Sequence, residues 1–543
     1  MFTEPVVGEK FFGREEVLDL FNKRVLALKD GYRQNIALTG QSLSGKSSII
    51  LHFLSTMKDE GFVPIYVEVI RESFQSFADK FVATMLYGYL LKSGEGALTQ
   101  LDGLIDKARI CLPKTHASIK SVYSLITDGD LDEAYMALLG LTSVLKDESG
   151  FSSIVILDEF DNLEHLGVKS PFLNFGKVIM VQKDTMYIVS SSRNEAIKKI
   201  ISEKLSLLFG NFEVIKVSNF DEKRSAEYMD TILAGYDIDT GARRFVIDFT
   251  DGNPHYLGKI SAEIKRIAEK RMSAHIDSEI VSEAILNLIY RTDGSIYQYL
   301  SNFILDLFDT KFKDSCISAI AAISGGRNKQ ADISRAIKMK QADASKILLR
   351  LMELGIVSKN GVFYKVDDRL LAFWIKNVYE RRKKILIDGT LDRTELYLND
   401  IRGAISSFLN AVSKKPEERV TDLFNQFAND MVNVDSKNIR LPHFTKVETK
   451  YFEDSSAAVM ASFRGSRWIA KICKNPANEN DIISYIRNIK SLEAKIAFKI
   501  IIALKGMDEN SKLLAKELKI AIWDAGTVNM LLDIYGRVRM ALE

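Results

Sequence analysis

The chain has 543 residues, of which 46% are hydrophobic and 27% are charged. A single hydrophobic core stops growing at about 250–300 residues, so this length predicts several domains, and the ordinary composition excludes a disordered or fibrous protein. The 74 basic and 72 acidic residues nearly cancel, which excludes a uniformly basic nucleic-acid coat and leaves a local patch as the only electrostatic route to DNA or RNA.

The cysteines and the N-terminus bear on the compartment. Cys111, Cys316 and Cys473 lie far apart and form no CxxC pair, so the sequence supports neither a disulfide framework nor a cysteine zinc site. Residues 1–5 lack a basic segment followed by an apolar one, and no later run reaches the ~18 apolar residues of a membrane helix. We therefore expect a cytoplasmic protein with no membrane partner.

The first 218 residues alternate predicted helices and strands. A helix over Val17–Leu28 precedes a strand over Asn35–Thr39, a glycine loop over Gly40–Gly45, and a helix that begins at Lys46. Further buried strands are predicted at Val63–Val69, Ser153–Leu157, Met186–Ser190 and Phe212–Val217. Strands that alternate with helices indicate an α/β fold with a parallel sheet covered on both faces.

The loop between the first strand and the second helix carries a complete P-loop motif. Its residues match G-x-x-x-x-G-K-[ST] as Gly40, Gln41, Ser42, Leu43, Ser44, Gly45, Lys46 and Ser47. Glycines let the backbone amides turn toward phosphate oxygens, and the following helix, with Ser48 in its first turn, presents its positive end to the same anion. We expect Lys46 to contact the β- and γ-phosphates of ATP and Ser47 to bind Mg²⁺.

The strand near residue 155 ends in two acidic residues. Ile154–Leu157 is apolar and is followed by Asp158 and Glu159, which places Asp158 at the carboxyl end of a strand, where open α/β sheets bind ligands. There Asp158 can hold Mg²⁺ and Glu159 can activate the attacking water. The alternative is that both acids only favour the start of the next helix.

The region after residue 218 is predicted to be mainly helical up to about residue 308, with a break at Asp251–Pro254. Two helices, Lys329–Ile337 and Gln341–Leu354, then precede a hairpin made of Ile356–Lys359, an Asn360-Gly361 turn and Val362–Lys365. This order is typical of a winged helix-turn-helix. We expect the solvent-facing residues of the second helix to lie in the DNA major groove; they are Gln341, Ser345, Lys346 and Arg350. The lysines of the wing, Lys359 and Lys365, are expected to lie on phosphates.

These motifs resemble the P-loop ATPases of the AAA+ and STAND kinds, in particular the archaeal-type ATPase family allied to Orc1/Cdc6. The segment Gly8–Glu15 is similar to the family's phenylalanine-rich box, and Leu157–Leu163 is similar to its Walker B sequence. The resemblance implies that Phe12 and Arg14 lie beside the adenine, that Arg193 senses the γ-phosphate, and that Pro254 of a G-x-P motif contacts the nucleotide.

The C-terminal part resembles a PD-(D/E)xK nuclease-like domain, through a hairpin formed by Val459–Phe463 and Trp468–Lys474. The acids that would hold its metal are missing, so we expect no nuclease activity. The predicted domains are an ATPase core (1–218), a helical lid (219–308), a winged helix (309–375), and a helical linker with an α/β domain (376–543).

Two functions remain open at this point. The chain is either an ATP-hydrolysing switch that acts on or near double-stranded DNA, or a STAND-like signalling or defence scaffold in which the nucleotide controls protein contacts or self-association. Salt-dependent DNA binding would separate the two.

Overall fold

A computed structural model describes residues 4–57, 61–96, 100–205, 211–307, 312–383, 394–452, 456–492 and 495–540. The chain divides into two compact units, which are described separately below. The first contains residues 1–219 together with Glu353–Gly355, and the second contains residues 220–352 and 356–543. No helix in the described ranges combines the length and the apolar character needed to cross a membrane.

The first unit is built on a parallel sheet. Its strands are β1 (Asn35–Thr39), β2 (Phe62–Glu68), β3 (Ser152–Asp158), β4 (Thr185–Ser191) and β5 (Phe212–Lys216). They pair in the order β2-β3-β4-β1-β5, and every pair is parallel. The predicted α/β class is therefore confirmed, and the five predicted strands are present with bounds that differ by at most one residue at either end.

Helices cover both faces of this sheet. They are α1 (Glu15–Lys29), α2 (Lys46–Thr56), α3 (Phe74–Lys92), α4 (Leu101–Cys111), α5 (Pro113–Thr127), α6 (Leu131–Ser149), α7 (Pro171–Val181) and α8 (Asn194–Lys199). Ile154 and Ile156 of β3 pack with α1 and α2, whereas Val155 and Leu157 pack with α3 to α7. Because side chains alternate along a strand, one apolar run fills both cores.

The second unit begins with a helical region. Its elements are α9 (Glu222–Ile232), β6 (Asp237–Ile238), α10 (Thr240–Thr250), α11 (Pro254–Arg271), β7 (His275–Ile276), α12 (Ser278–Ile285) and α13 (Ser295–Leu307). The two-residue strands β6 and β7 pair in parallel. The sequence pattern did not predict them, since two residues are too few to show an alternation of apolar and polar positions.

Three helices and a hairpin follow: α14 (Lys313–Ser324), α15 (Gln330–Ala336), α16 (Gln341–Glu353), β8 (Val357–Asn360) and β9 (Phe363–Val366). The predicted position of the hairpin turn was wrong by one residue. Asn360 pairs with Phe363, so the two-residue turn is Gly361-Val362 rather than Asn360-Gly361. Asn360 remains in the strand because its side chain bonds to another strand of the same unit, as described below.

The C-terminal part contains α17 (Arg369–Trp374), α18 (Thr394–Ser413), α19 (Pro416–Phe424), α20 (Glu479–Lys490), α21 (Glu509–Glu517) and α22 (Ala525–Ile534). Its strands are β10 (Asp430–Val434), β11 (Lys437–Leu441), β12 (Lys446–Tyr451), β13 (Ala457–Phe463), β14 (Ser466–Cys473), β15 (Ile496–Ala503) and β16 (Ala521–Asp524). β12 to β16 form one mixed sheet in chain order, and β10 pairs with β11. The predicted β13–β14 hairpin is present.

Candidate functional site

The loop between β1 and α2 has the backbone that its sequence predicts. Leu43 and Gly45 have positive φ angles of 62° and 96°, and Gly45 immediately precedes α2. A Cβ atom at Gly40 would collide with the carbonyl oxygen of Val217, so glycine is required there by close packing. The loop is therefore held against the chain that follows β5.

Lys46 lies inside this loop and is only 4% exposed. Its Nζ atom donates to the carbonyl oxygens of Gly40 and Gln41 at 3.1 and 3.0 Å, and to Ser192 Oγ at 2.9 Å. Burial lowers the pKa of the Lys46 ammonium, while the nearby carboxylates of Glu159 and Asp158 act in the opposite direction. These carboxylates favour the charged form of a buried cation at the centre of the loop.

Ser47 and Asp158 meet as the motif predicts. Ser47 Oγ donates to Asp158 Oδ2 at 2.6 Å, and Asp158 is almost fully buried at the end of β3. Tyr66 Oη donates to the same carboxylate oxygen at 3.0 Å. The other oxygen, Oδ1, accepts hydrogen bonds from Ser190 Oγ and from the Glu159 amide. The carboxylate is thus fixed by groups from β2, β4 and α2.

Glu159 immediately precedes the short helix Phe160–His165, but its carboxylate is oriented by Ser192 and makes no capping bond to that helix. Its backbone has a positive φ of 52°, and its carboxylate accepts from Ser192 Oγ at 2.5 Å and from the Ser192 amide at 3.2 Å. Burial raises the pKa of the Glu159 carboxyl, and the Lys46 charge and the Ser192 hydrogen bond oppose that rise. Ser192 therefore connects the side chains of Lys46 and Glu159 through one hydroxyl group.

Arg193 is placed next to this group but points to another acid. Its Nε atom lies 3.2 Å from Asp161 Oδ2, and its Nη2 atom lies 3.5 Å from Asn162 Oδ1. Asp161 also accepts from Ser191 Oγ at 2.6 Å. The sensor role expected for Arg193 thus stays a prediction, while its neighbour Ser192 makes the contacts to Lys46 and Glu159.

The N-terminal segment lies along α2. Arg14 Nη2 donates to the carbonyl oxygens of Ser44 and Ser218 at 3.2 and 2.6 Å, so this side chain ties the loop to the end of the β5 segment. Ser48 Oγ accepts from the Val6 amide at 3.0 Å. Phe12 is half-buried, and the ring of its neighbour Phe11 stacks on His52 with centroids 4.0 Å apart. These contacts place Arg14, one of the two predicted adenine-side residues, against the P-loop.

Two residues of this site lie outside every motif that the sequence supplied: Tyr66 and Ser190. Ser192 directly precedes the predicted sensor Arg193, but the sequence motifs give Ser192 itself no role. A sequence signal existed for both serines, because they sit at the carboxyl end of β4, which pairs with β3 in the sheet. Tyr66 gave no comparable signal, since its contact depends on the pairing of β2 with β3.

Pro254 belongs to the second unit and is the first residue of α11. Asn253 caps this helix by accepting from the amides of His255 and Tyr256 at 3.1 and 3.3 Å. A Cβ atom at Gly252 would collide with the carbonyl oxygen of Phe220. The Gly-Asn-Pro sequence therefore has a local structural reason, and the nucleotide contact of Pro254 remains a prediction.

Helix α16 presents part of the face that was expected to contact DNA. Gln341, Ser345 and Lys346 on α16 are exposed. The expectation that Arg350 faces solvent was wrong, because its side chain is half-buried with the guanidinium 5.6 Å from the centre of the Phe312 ring. The aromatic ring attracts the cation and occupies the place where solvent was expected.

The hairpin of β8 and β9, which was predicted to form the wing and is called the wing hairpin below, is docked on β10 of the same unit. The Val362 amide donates to the Met431 carbonyl oxygen at 3.0 Å, and a Cβ atom at Gly361 would collide with that oxygen. The Asn360 side chain donates to Asn433 O at 3.0 Å and accepts from Asn433 N at 2.7 Å. The tip of the wing is therefore part of an interface within the unit.

The two wing lysines have different surroundings. Lys359 is exposed, with its Nζ atom 5.3 Å from the centre of the Tyr364 ring. The prediction that Lys365 lies on a phosphate was wrong, because its Nζ atom pairs with Asp533 Oδ2 at 2.7 Å. Asp533 is only 6% exposed and also binds Arg369 and Arg539. A buried carboxylate requires cationic partners, so the Lys365 ammonium is held in the ion pair with Asp533.

The nuclease-like hairpin carries two lysines with acidic partners. Lys474 Nζ pairs with Glu417 Oε1 at 2.8 Å, and the buried Lys471 Nζ lies 3.1 Å from Asp481 Oδ1. Across the described residues, no group of three or more His, Cys, Asp and Glu side chains is arranged to hold a metal ion. The resemblance of this domain to nucleases stays a prediction.

Comparisons with known proteins concern the fold. No protein-family model matches the sequence, and a search of curated proteins gives no match. A Walker-type ATPase of Pyrococcus abyssi is similar in structure, with 18% identity, a TM-score of 0.48, and coverage of 69% of this chain and 99% of the other. The Orc2 protein of Aeropyrum pernix, in ADPNP-ADP complexes, has 12% identity, a TM-score of 0.43, and coverage of 70% and 98%. The Orc1 protein of Aeropyrum pernix, solved in complex with DNA, has 15% identity, a TM-score of 0.39, and coverage of 69% and 93%.

These values describe a likeness of chain fold at low identity. The function of this chain must therefore be argued from its own residues. The resemblances of the hairpin segment to a winged helix and of the C-terminal domain to a nuclease are not decided by the comparisons and remain predictions.

Proposed function

We propose that this protein is an ATPase switch that binds ATP with Mg²⁺ at Gly40–Ser47 and hydrolyses it. The observation that carries the proposal is the meeting of Lys46 and Ser47 on α2 with Asp158 and Glu159 at the end of β3. A phosphate loop alone would support binding only. The acid pair supports hydrolysis as well, because Asp158 accepts from Ser47 on the same helix and Glu159 is linked to Lys46 through Ser192.

The residues present suit a magnesium nucleotide. Ser47 Oγ and the Asp158 carboxylate are hard oxygen donors 2.6 Å apart, and Mg²⁺ prefers oxygen ligands. When bound, Mg²⁺ would neutralise charge on the phosphates. Lys46 is buried with its Nζ atom on loop carbonyls, so a phosphate oxygen would replace these weaker acceptors. The donor set therefore fits the cofactor that the motif predicts.

Glu159 is the candidate general base. Burial raises its pKa, which makes it a better proton acceptor than an ordinary surface carboxylate. The Ser192 hydrogen bonds orient its carboxylate, and we propose that it takes a proton from the attacking water. Lys46 and Arg193 are proposed to stabilise charge on the phosphates. Phe12, Arg14 and Pro254 are proposed to complete the nucleotide site.

The proposal is tested by nucleotide binding. Lys46→Ala removes the buried cation of the loop, and we expect the affinity for a fluorescent ATP analogue to fall by at least tenfold. Lys146→Ala is a matched control, because the Lys146 ammonium also donates to a backbone carbonyl, that of Gly150, but lies at the end of α6. Equal affinity in Lys46→Ala and in the parent would overturn the assignment of the site.

A finer proposal concerns what the switch acts on. We propose double-stranded DNA as one partner, supported by the exposed Gln341, Ser345, Lys346 and Lys359. The docking of the wing on β10 and the ion pair of Lys365 reduce the basic surface and favour the second candidate, a STAND-like scaffold in which the nucleotide controls protein contacts. DNA affinity that falls steeply with salt would support the first candidate. No DNA binding even at low salt would support the second candidate, the scaffold.

A further inference from the structure

Tyr66 makes an unexpected contact in the first unit. It lies on β2, one strand away from the acid pair, and it is opposite Ile156 in the parallel register of β2 and β3. Its hydroxyl donates to Asp158 Oδ2 at 3.0 Å, the oxygen that also accepts from Ser47 at 2.6 Å. No part of the ATPase motif includes this tyrosine.

The contact completes a set of hydrogen bonds around one carboxylate. Ser47 and Tyr66 donate to Oδ2, and the Ser190 hydroxyl and the Glu159 amide donate to Oδ1. Donors on both oxygens from separate elements prevent the carboxylate from rotating about its terminal bond. If Ser47 turns toward a cation, Tyr66 is the side-chain donor that remains on Oδ2.

We infer that Tyr66 is a positioning residue, which holds Asp158 in the orientation that binds the cation of the nucleotide. The inference rests on the proposed function, since it concerns the same Mg²⁺ site. Groups that hydrogen-bond to a metal ligand fix its orientation, and their loss lowers metal affinity by about 10- to 100-fold. Phenylalanine would fill nearly the same volume as tyrosine and would lack only the hydroxyl.

The test compares two tyrosine-to-phenylalanine variants of the full chain. In Tyr66→Phe we expect the Mg²⁺ concentration for half-maximal binding of a fluorescent ATP analogue to rise about tenfold or more. Binding without divalent cation should be unchanged. Direct binding of Mn²⁺ in the presence of a non-hydrolysable ATP analogue, followed by electron paramagnetic resonance, should weaken by a similar factor.

The matched control is Tyr123→Phe. Tyr123 also donates its hydroxyl to a carboxylate oxygen at 3.0 Å, that of Asp79 on α3, outside the phosphate site. We expect this variant to keep the cation dependence of the parent. If Tyr66→Phe does not fold, Ser190→Ala, which removes a donor to the other oxygen of Asp158, takes its place in the same measurements.

The outcomes separate this inference from the proposed function. A parent protein without cation-dependent nucleotide binding would overturn both. Cation-dependent binding in the parent that Tyr66→Phe leaves unaltered would overturn the inference alone. Equal weakening with and without cation would show that the hydroxyl only supports the fold.

Discussion

The phosphate loop and the wing hairpin are both tight turns with a glycine at positive φ, yet their surroundings differ. At the loop, side chains from α2, β3 and β4 converge, and the loop carbonyls are bonded by Lys46. At the hairpin, Gly361 is pressed against the Met431 carbonyl of β10. One glycine turn therefore serves a polar site, and the other serves an interface between elements of one unit. The same local motif can have either use, depending on what packs against it.

The largest effect is expected at the acid of the phosphate site. Glu159→Gln should keep ATP bound and reduce steady-state hydrolysis by about 10²- to 10⁴-fold, because the amide preserves the shape and removes the base. Glu164 is an exposed acid on the short helix Phe160–His165 that follows Glu159, and Glu164→Gln should hydrolyse ATP like the parent. Unchanged phosphate release in Glu159→Gln would mean that this residue supports only the local fold.

A smaller effect should distinguish two neighbouring residues. Ser192→Ala removes the hydroxyl between Lys46 and Glu159, and we expect hydrolysis to fall by about 10- to 100-fold. Arg193→Ala removes a side chain that is paired with Asp161, and its effect should be smaller if this ion pair persists with nucleotide. Single-turnover hydrolysis by both variants shows which substitution causes the larger loss of rate. A larger loss in Arg193→Ala would instead support the sensor role for the arginine.

The hairpin side of the comparison is tested by stability. Gly361→Ala should lower the free energy of unfolding by about 1–3 kcal/mol more than Gly465→Ala, since overpacking adds to the backbone strain. Both glycines have positive φ in two-residue hairpin turns, but a Cβ atom at Gly465 would meet no atom within 4 Å. Thermal unfolding of both variants measures the difference. Equal losses would show that the wing tip is not docked in solution.

The smallest effect concerns DNA. If Lys346 contacts a phosphate, Lys346→Ala should flatten the slope of log affinity against log salt by about one unit, uniformly across sequences. Lys512→Ala is a control, because both lysines are exposed and each pairs with an acid three residues earlier. A titration of duplex DNA at several salt concentrations checks this. If the two variants show the same slope of log affinity against log salt, the result would favour protein contacts over DNA binding as the role of the second unit.

Sequence patterns alone predicted most of the proposed phosphate site. The positions Gly40 to Ser47 and the apolar run that ends at Asp158 contain both the chemistry and the backbone geometry, because a P-loop is formed by adjacent residues. The carboxyl ends of parallel strands meet at one edge, so Asp158 had to approach α2. Short-range patterns suffice where neighbours along the chain are also neighbours in space.

The remaining contacts depend on segments that are distant in the sequence. Tyr66 reaches Asp158 because β2 pairs with β3. These strands are separated in the sequence by the 83 residues 69–151. The hairpin turn lies one residue later than predicted, Lys365 pairs with Asp533, and Arg350 packs over Phe312. In each case a distant segment supplied the partner. A local pattern predicts which residues are polar and where a turn lies, but it contains no information about which distant surface will cover them.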